Sequence, residues 1–331
     1  MTGGAATPRW AIIGTGAIAE QTIGDIRLAG NIDIVAVASR TAATAEDFAA
    51  RHGIPRVFAS VEDALGSADI DAVYICTPHS SHFELARQAL LTGKHVLCEK
   101  PLTLTASQSR ELADLAAARG LFLMEAMWMK FTPAVLQVQE LIRSGAIGEV
   151  RSVESSMGYN FPRTETSRLW NAELGGGALL DLGVYPAAFA QLLLGTPLSV
   201  AAHGVMQADG VDLRSTLTLG YSDDRFATVT SSLTEVIMAF AVVGGTAGTI
   251  VMDPTFFAGG AIHCYSAPDY TAQTTTVPIE GAGYVPMFRA VGEALAAGLT
   301  EHPRHPLADT IAVLAVVDEA RRLLAAARPT A

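Results

Sequence analysis

Apolar residues fall along this chain in two different rhythms. From Arg9 it reads RWAIIGTGAIA, a short apolar run that passes into glycines and then into helical spacing, the opening of a strand–turn–helix unit. Further apolar runs stand at 32–39 (IDIVAVAS), 71–78 (DAVYICTP), 95–101 (HVLCEKP) and 121–128 (LFLMEAMW), with helical stretches between them. Strands alternating with helices at this pace predict an α/β domain over residues 1–127, built on a parallel, doubly wound sheet of the Rossmann kind.

After Trp128 the rhythm changes. A helix is predicted around 134–144, a strand at 151–160 (RSVESSMGYN) and a glycine-rich helical segment at 175–194. From 198 to 280 strands follow one another with turns such as ADG and YSDDR, and the tail from 284 to 327 returns to helix, with Pro303 and Pro306 between its parts. Strands grouped in this way predict a second, α+β domain over 128–331 with an open, mainly antiparallel sheet, suited to substrate binding and to subunit contact.

Composition narrows the picture. A chain of 331 residues suits two domains, and 50% hydrophobic with 17% charged residues is a packed, globular composition. The richest apolar stretch, ALLDLGVYPAAFAQLLLG, is interrupted by Asp181, Pro186 and Gln191, short of the roughly 18 uninterrupted apolar residues that a membrane span needs. The first ten residues show no basic start, apolar core and cleavage site, so a cytoplasmic location is expected. Cys76, Cys98 and Cys264 form no CxxC pair and no Cys/His grouping, which predicts reduced thiols and no metal site. The net charge of −11 weighs against nucleic acid or an anionic membrane surface as a partner.

The candidate chemistry sits at the predicted strand ends. GTGAIA at 14–19 is a GxGxxA loop: Gly14 for the tight turn, Gly16 for close approach of a pyrophosphate, and Ala19 for helix–strand packing. Thr15, Ala17 and Ile18 complete the loop and the helix N-terminus, whose amides face phosphate. After the second strand stand Ser39 and Arg40 in place of an acidic ribose acceptor. A hydroxyl beside a guanidinium matches a 2′-phosphate, so NADP(H) is favoured over NAD(H); the competing reading makes Arg40 a solvated start of the next helix.

Two polar segments close later strands, CTPHSSH at 76–82 and CEKP at 98–101. Their residues Thr77, Pro78, His79, His82, Glu99 and Lys100 are therefore expected to face the cofactor. Lys100 is an unusual strand-end choice unless its charge is used, the alternative being a surface lysine in a turn. In the second domain Asp181 and Tyr185 are four apart, a spacing that puts both on one helix face. A tyrosine of ordinary pKa, about 10, needs a nearby cation to act as a base near neutrality; otherwise Tyr185 is a core aromatic and Asp181 a surface charge.

Together GTGAIA, CTPHSSH, EKP at 99–101 and GGGALLDLGVYP at 175–186 resemble the Gfo/Idh/MocA oxidoreductases over nearly the whole chain. The resemblance implies that Lys100 is the catalytic lysine, Tyr185 the acid/base and Asp181 an orienting aspartate, with hydride moving between nicotinamide and a CH–OH or C=O carbon of a sugar or cyclic diol. The tyrosine at 185 and EAMWMKFTPA at 125–134 are similar to the dihydrodiol and NADP-dependent aldose dehydrogenase branch, which the chain leaves at Lys130, where arginine is expected. Trp128, Tyr159, Phe161, Arg163 and Trp170 are candidates for a substrate wall and rim, or equally for packing. Two other functions compete: a ketoreductase of a nucleotide-linked deoxysugar, with Arg163 and Arg168 meeting the diphosphate, and a cofactor-sensing protein without catalysis. The apolar stretch 230–245 predicts a homodimer or higher homo-oligomer through the C-terminal sheet.

Overall fold

The computed structural model describes residues 7–164 and 167–327; the first six residues, part of the stretch read for an export signal, lie outside it. The chain divides into two compact units that interleave along the sequence. The first holds residues 1–103, 107–128 and 280–307, and the second holds 104–106, 129–279 and 308–331. A single cut at 127/128 does not describe this arrangement, because the segment 280–307 returns to the first unit.

The first unit alternates strands and helices: β1 (Arg9–Ile13), α1 (Ala17–Ala29), β2 (Asp33–Ala38), α2 (Ala42–His52), β3 (Arg56–Val57), α3 (Val61–Gly66), β4 (Ala72–Ile75), α4 (His79–Leu91), β5 (His95–Cys98), α5 (Ala106–Arg119) and β6 (Leu123–Glu125). Its six strands pair in parallel in the order β3-β2-β1-β4-β5-β6. The expected Rossmann sheet is therefore present, with the two-residue β3 as an edge strand too short to show in the hydrophobic pattern. Ile13, Ala38, Val73, Ile75, Val96 and Leu123 are buried in one core, and near-continuous apolar strands are what a sheet covered on both faces requires.

In the second unit α6 (Pro133–Arg143) and β7 (Val150–Gly158) precede a π-turn (Leu179–Gly183) that runs directly into α7 (Val184–Leu194). Seven strands follow: β8 (Ser199–Met206), β9 (Asp212–Gly220), β10 (Phe226–Ser232), β11 (Ala241–Gly245), β12 (Gly248–Met252), β13 (Gly260–Ser266) and β14 (Thr271–Val277). With β7 they form an eight-stranded sheet, β14-β13-β12-β11-β7-β10-β9-β8, antiparallel except for the β7/β10 pair. The helices α8 (Val285–Ala296) and α9 (Leu307–Ala326) close the chain.

The sheet is half-buried. Along β9 buried positions alternate with open ones, as one covered face requires, and α7 lies against β7 and β10 on that face. The stretch Ala172–Leu194 is long and apolar enough to cross a membrane by composition, yet 83% of its apolar window is buried inside the protein, where it serves as the core helix under the sheet. Lys130, the residue that replaces the expected arginine, is fully buried; its Nζ meets Asp309 Oδ2 of α9 at 2.7 Å and Gln191 Oε1 of α7 at 3.3 Å. Gln191 Nε2 donates to the other oxygen of Asp309 at 2.8 Å, so the three side chains fasten α7 to α9 with the buried charge paired.

Candidate active site

The C-terminal ends of β1, β2, β4 and β5 share one edge of the six-stranded sheet. The strand order turns back on itself between β1 and β4, the place where open α/β sheets bind ligands. Gly14 has φ +102°, and a Cβ there would stand 2.9 Å from the Cys76 carbonyl oxygen, so both conformation and space demand glycine. Gly16, the N-cap of α1, meets nothing within 4 Å of a Cβ built on it, which leaves open space before the unpaired amides at Ala17 and Ile18. Thr15 Oγ1 lies 3.4 Å from Ser39 Oγ, and Ser39 Oγ accepts from Thr44 Oγ1 at 2.9 Å. Arg40 is exposed and, among the described residues, has no hydrogen bond or ion pair.

The loops after β4 and β5 are fastened from below by buried polar groups. Thr77 Oγ1 accepts from Ser81, Pro78 caps α4, and His79 is buried at its first turn. His82 is fully buried with its two ring nitrogens each 2.8 Å from a backbone carbonyl, that of Thr77 and that of Pro101, so one ring spans both loops. Glu99 was expected to face the cofactor, but its side chain turns inward: it accepts a short hydrogen bond from Tyr74 and takes the Lys100 amide at 3.3 Å. Two loop residues farther on, the Leu102 amide donates to Glu125 Oε1 at 3.0 Å, and Glu125 Oε2 meets His305 Nε2 at 3.0 Å. Lys100 itself is half-buried and precedes a cis proline, Pro101.

Burial governs the electrostatics here. It pushes the Glu99 carboxyl up to about 7, against the Tyr74 hydrogen bond and the Lys100 charge, which pull it down. Burial together with Glu99 raises Tyr74, Cys76 and Cys98 well above their usual ranges, so these groups stay protonated. Trp128, expected in a substrate wall, is 4% exposed in the first unit and packs its ring on Tyr284 at 4.4 Å, with Gly283 against its edge. Asp25 of α1 holds that segment by accepting the amides of Ala282 and Tyr284 at 2.8–3.0 Å.

In the second unit Asp181 and Tyr185 are both buried, at 7% and 6% exposure. The π-turn widens the coil between them, and the Tyr185 ring packs on Phe257 at 5.5 Å. Asp181 Oδ1 accepts from Arg168 Nη2 at 2.8 Å. Arg163 donates to Gln207 Oε1 at 2.9 Å and lies over the Trp170 ring, and both residues line an open cavity of about 700 Å³ with Ser167 and Asn171. Tyr159 and Phe161 pair their rings at 5.6 Å beyond the end of β7. Each unit thus gathers its own share of the expected residues. Tyr74, Glu125, Tyr284 and His305 carried no local signal, since each is recognised only through a partner distant in the chain.

Comparison with known proteins covers the same two regions. Residues 8–127 match the family described as "Oxidoreductase family, NAD-binding Rossmann fold". Residues 135–251 match the "GFO/IDH/MocA C-terminal domain". The trans-1,2-dihydrobenzene-1,2-diol dehydrogenase of Xenopus tropicalis is 32% identical over 97% of this chain and 99% of its own length. That of Mus musculus is 30% identical over 97% and 98%. A 3-ketoreductase from Actinomadura kijaniata, solved in complex with NADP and TDP-benzene, superposes with a TM-score of 0.85 at 29% identity over 95% of this chain and 97% of that one.

The buried Glu99 generates a stability prediction. Its carboxyl rises from the usual 4.5 to about 7 on folding, so its contribution is fully present below pH 4.5 and is lost as pH rises through 7. Glu99→Gln removes that dependence: between pH 4.5 and 8 the variant should gain on the order of 3 kcal/mol relative to wild type in denaturant unfolding. A difference that stays constant over this window contradicts the assignment.

Proposed function

Because the chain belongs to the Gfo/Idh/MocA family of oxidoreductases, with an NAD-binding Rossmann fold in its first unit, we propose that it is an NADP-dependent dehydrogenase of a sugar or cyclic diol. The observation that carries this reading is Lys100, half-buried at the end of β5 on a loop held by buried groups, in a chain that matches diol dehydrogenases from end to end. NADP fits the first unit: the open space at Gly16 and the amides of α1 suit a pyrophosphate, and Ser39 with Arg40, which has no partner among the described residues, suits a 2′-phosphate. The bound cofactor supplies the hydride-accepting or hydride-donating carbon.

The protein's own groups then handle the proton and the charge. During oxidation Tyr185 takes the proton of the substrate hydroxyl, and during reduction it returns that proton to the carbonyl oxygen. A positive charge such as that of Lys100 stabilises the alkoxide character that develops on the reacting oxygen. Asp181, held by Arg168, is a fixed acceptor for a neighbouring substrate hydroxyl.

A second reading, reduction of a nucleotide-linked ketosugar, draws on the similarity to the ketoreductase solved with TDP-benzene. A diphosphate needs cations without other duties, whereas Arg168 is committed to Asp181, and Arg163 to Gln207 and Trp170. The uncharged sugar or diol therefore ranks first. The second unit's sheet exposes Val205 on β8 and Phe226 on β10, and the loop between β10 and β11 exposes Val236 and Met238, each at least 49% accessible; this apolar surface supports a homodimer.

Three outcomes check these statements. In an assay of NADP⁺ reduction over aldoses, inositols and cyclic diols, Lys100→Met and Tyr185→Phe should each lose about 10²–10⁴-fold in kcat while still binding NADPH; wild-type rates in either variant contradict the assigned role. Arg40→Ala should weaken NADP⁺ binding about 10–100-fold and leave NAD⁺ binding unchanged, since only the 2′-phosphate loses its charge-assisted partner. Light scattering should give at least twice the chain mass of 34.6 kDa, and a mass of one chain contradicts the dimer.

A further inference from the structure

The turn that carries Asp181 and Tyr185 begins on a buried carboxylate that the reaction described above does not use. Asp212, the first residue of β9, is fully buried, and its Oδ2 accepts the Leu179 amide at 2.7 Å. Leu179 opens the π-turn, so this amide is one of the donors that a helical segment leaves unpaired at its start. Asp181 lies two residues farther on and Tyr185 six.

The neighbouring glycines are shaped around the same carboxylate. Gly177 has φ +122°, and a Cβ there would come within 2.3 Å of Asp212 Oδ1. At Gly176 a Cβ would stand 2.6–2.8 Å from the carbonyl oxygens of Arg168, Leu169 and Asn171, so the segment supplying Arg168 closes on the same glycine pair. Asp212 Oδ1 is buried and has no hydrogen-bond partner among the described residues. One carboxylate therefore sits behind both supports of Asp181, the helical turn and the Arg168 segment.

We propose that Asp212 is a positioning residue for catalysis: ionised, it holds the start of the turn that presents Asp181 and Tyr185, and protonated, it lets that turn loosen and turnover fall. The proposal rests on the role assigned to Tyr185 above. A carboxylate binds an amide donor about twice as strongly as a neutral acceptor does, so the charge on Asp212 sets the strength of the cap. Burial pushes its carboxyl up to about 6, while the amides of Leu179 and Ala178 and the charge of Arg321 on α9 pull it down; Asp212 stays buried on β9 when the turn loosens, so the amides favour the ionised form and protonation weakens their hold. Of the other charged groups nearby, Arg168 is taken by Asp181, and Arg214, on the strand of Asp212 itself, is taken by Glu235. The switch therefore falls within the range of an activity assay.

The test compares wild type with Asp212→Asn from pH 5 to 8, reading kcat, NADPH affinity and hydrogen exchange of the 178–186 segment corrected for intrinsic rates. Asparagine keeps an acceptor for the Leu179 amide and lacks the charge. Wild-type kcat should fall below about pH 6, while the variant should show a flat profile lowered about fivefold, with NADPH affinity unchanged. Exchange in 178–186 should quicken below pH 6 in wild type. An acid limb and a kcat in the variant equal to those of wild type, or wild-type exchange that ignores pH, overturns the proposal. If the protein proves to have no turnover at all, the wild-type exchange profile still decides whether Asp212 holds the turn, separately from the reaction assigned to it.

Discussion

A carboxylate removed from water needs fixed donors, and in this protein the donors are repeatedly the backbone amides of loops next to candidate site residues. Glu99 takes the amide of Lys100, Glu125 that of Leu102, Asp25 those of Ala282 and Tyr284, and Asp212 that of Leu179. Each is at most 5% exposed. An unpaired acid at such depth costs several kcal/mol, so the loop that satisfies it is held in one conformation.

This constraint separates two jobs within each segment. In CEKP the acid faces inward and fixes the backbone, while the following lysine stays half-buried at the strand end. In GGGALLDLGVYP the glycines admit Asp212 and the carbonyls of 168–171, and the turn beyond them carries Asp181 and Tyr185. Preorganisation of this kind is what electrostatic stabilisation of a developing charge requires, because donors that are already fixed need not reorganise at the moment of reaction.

What could be read from the residues alone was whatever depends on local pattern. The five longer strands of the first unit, the GxGxxA turn and the grouping of strands after Leu198 follow from hydrophobic period and from glycines with one stereochemical use. Residue alternation along a strand also decides which way a side chain points, and the apolar run HVLC does not show that Glu99 meets Tyr74. Pairs distant in the chain were invisible: His305 with Glu125 spans 180 residues, and Tyr284 with Asp25 spans 259. The return of 280–307 to the first unit was hidden for the same reason, since helical periodicity names a buried face without naming its partner.

The most direct test of the central claim is transfer of label from NADPH deuterated at nicotinamide C4 to a ketose, aldose or diol-derived carbonyl, read by mass spectrometry of the product. The account predicts one deuterium on the carbon that becomes CH–OH. Oxidation of NADPH without deuterium in the product, or no transfer to any carbonyl of these classes, would contradict it.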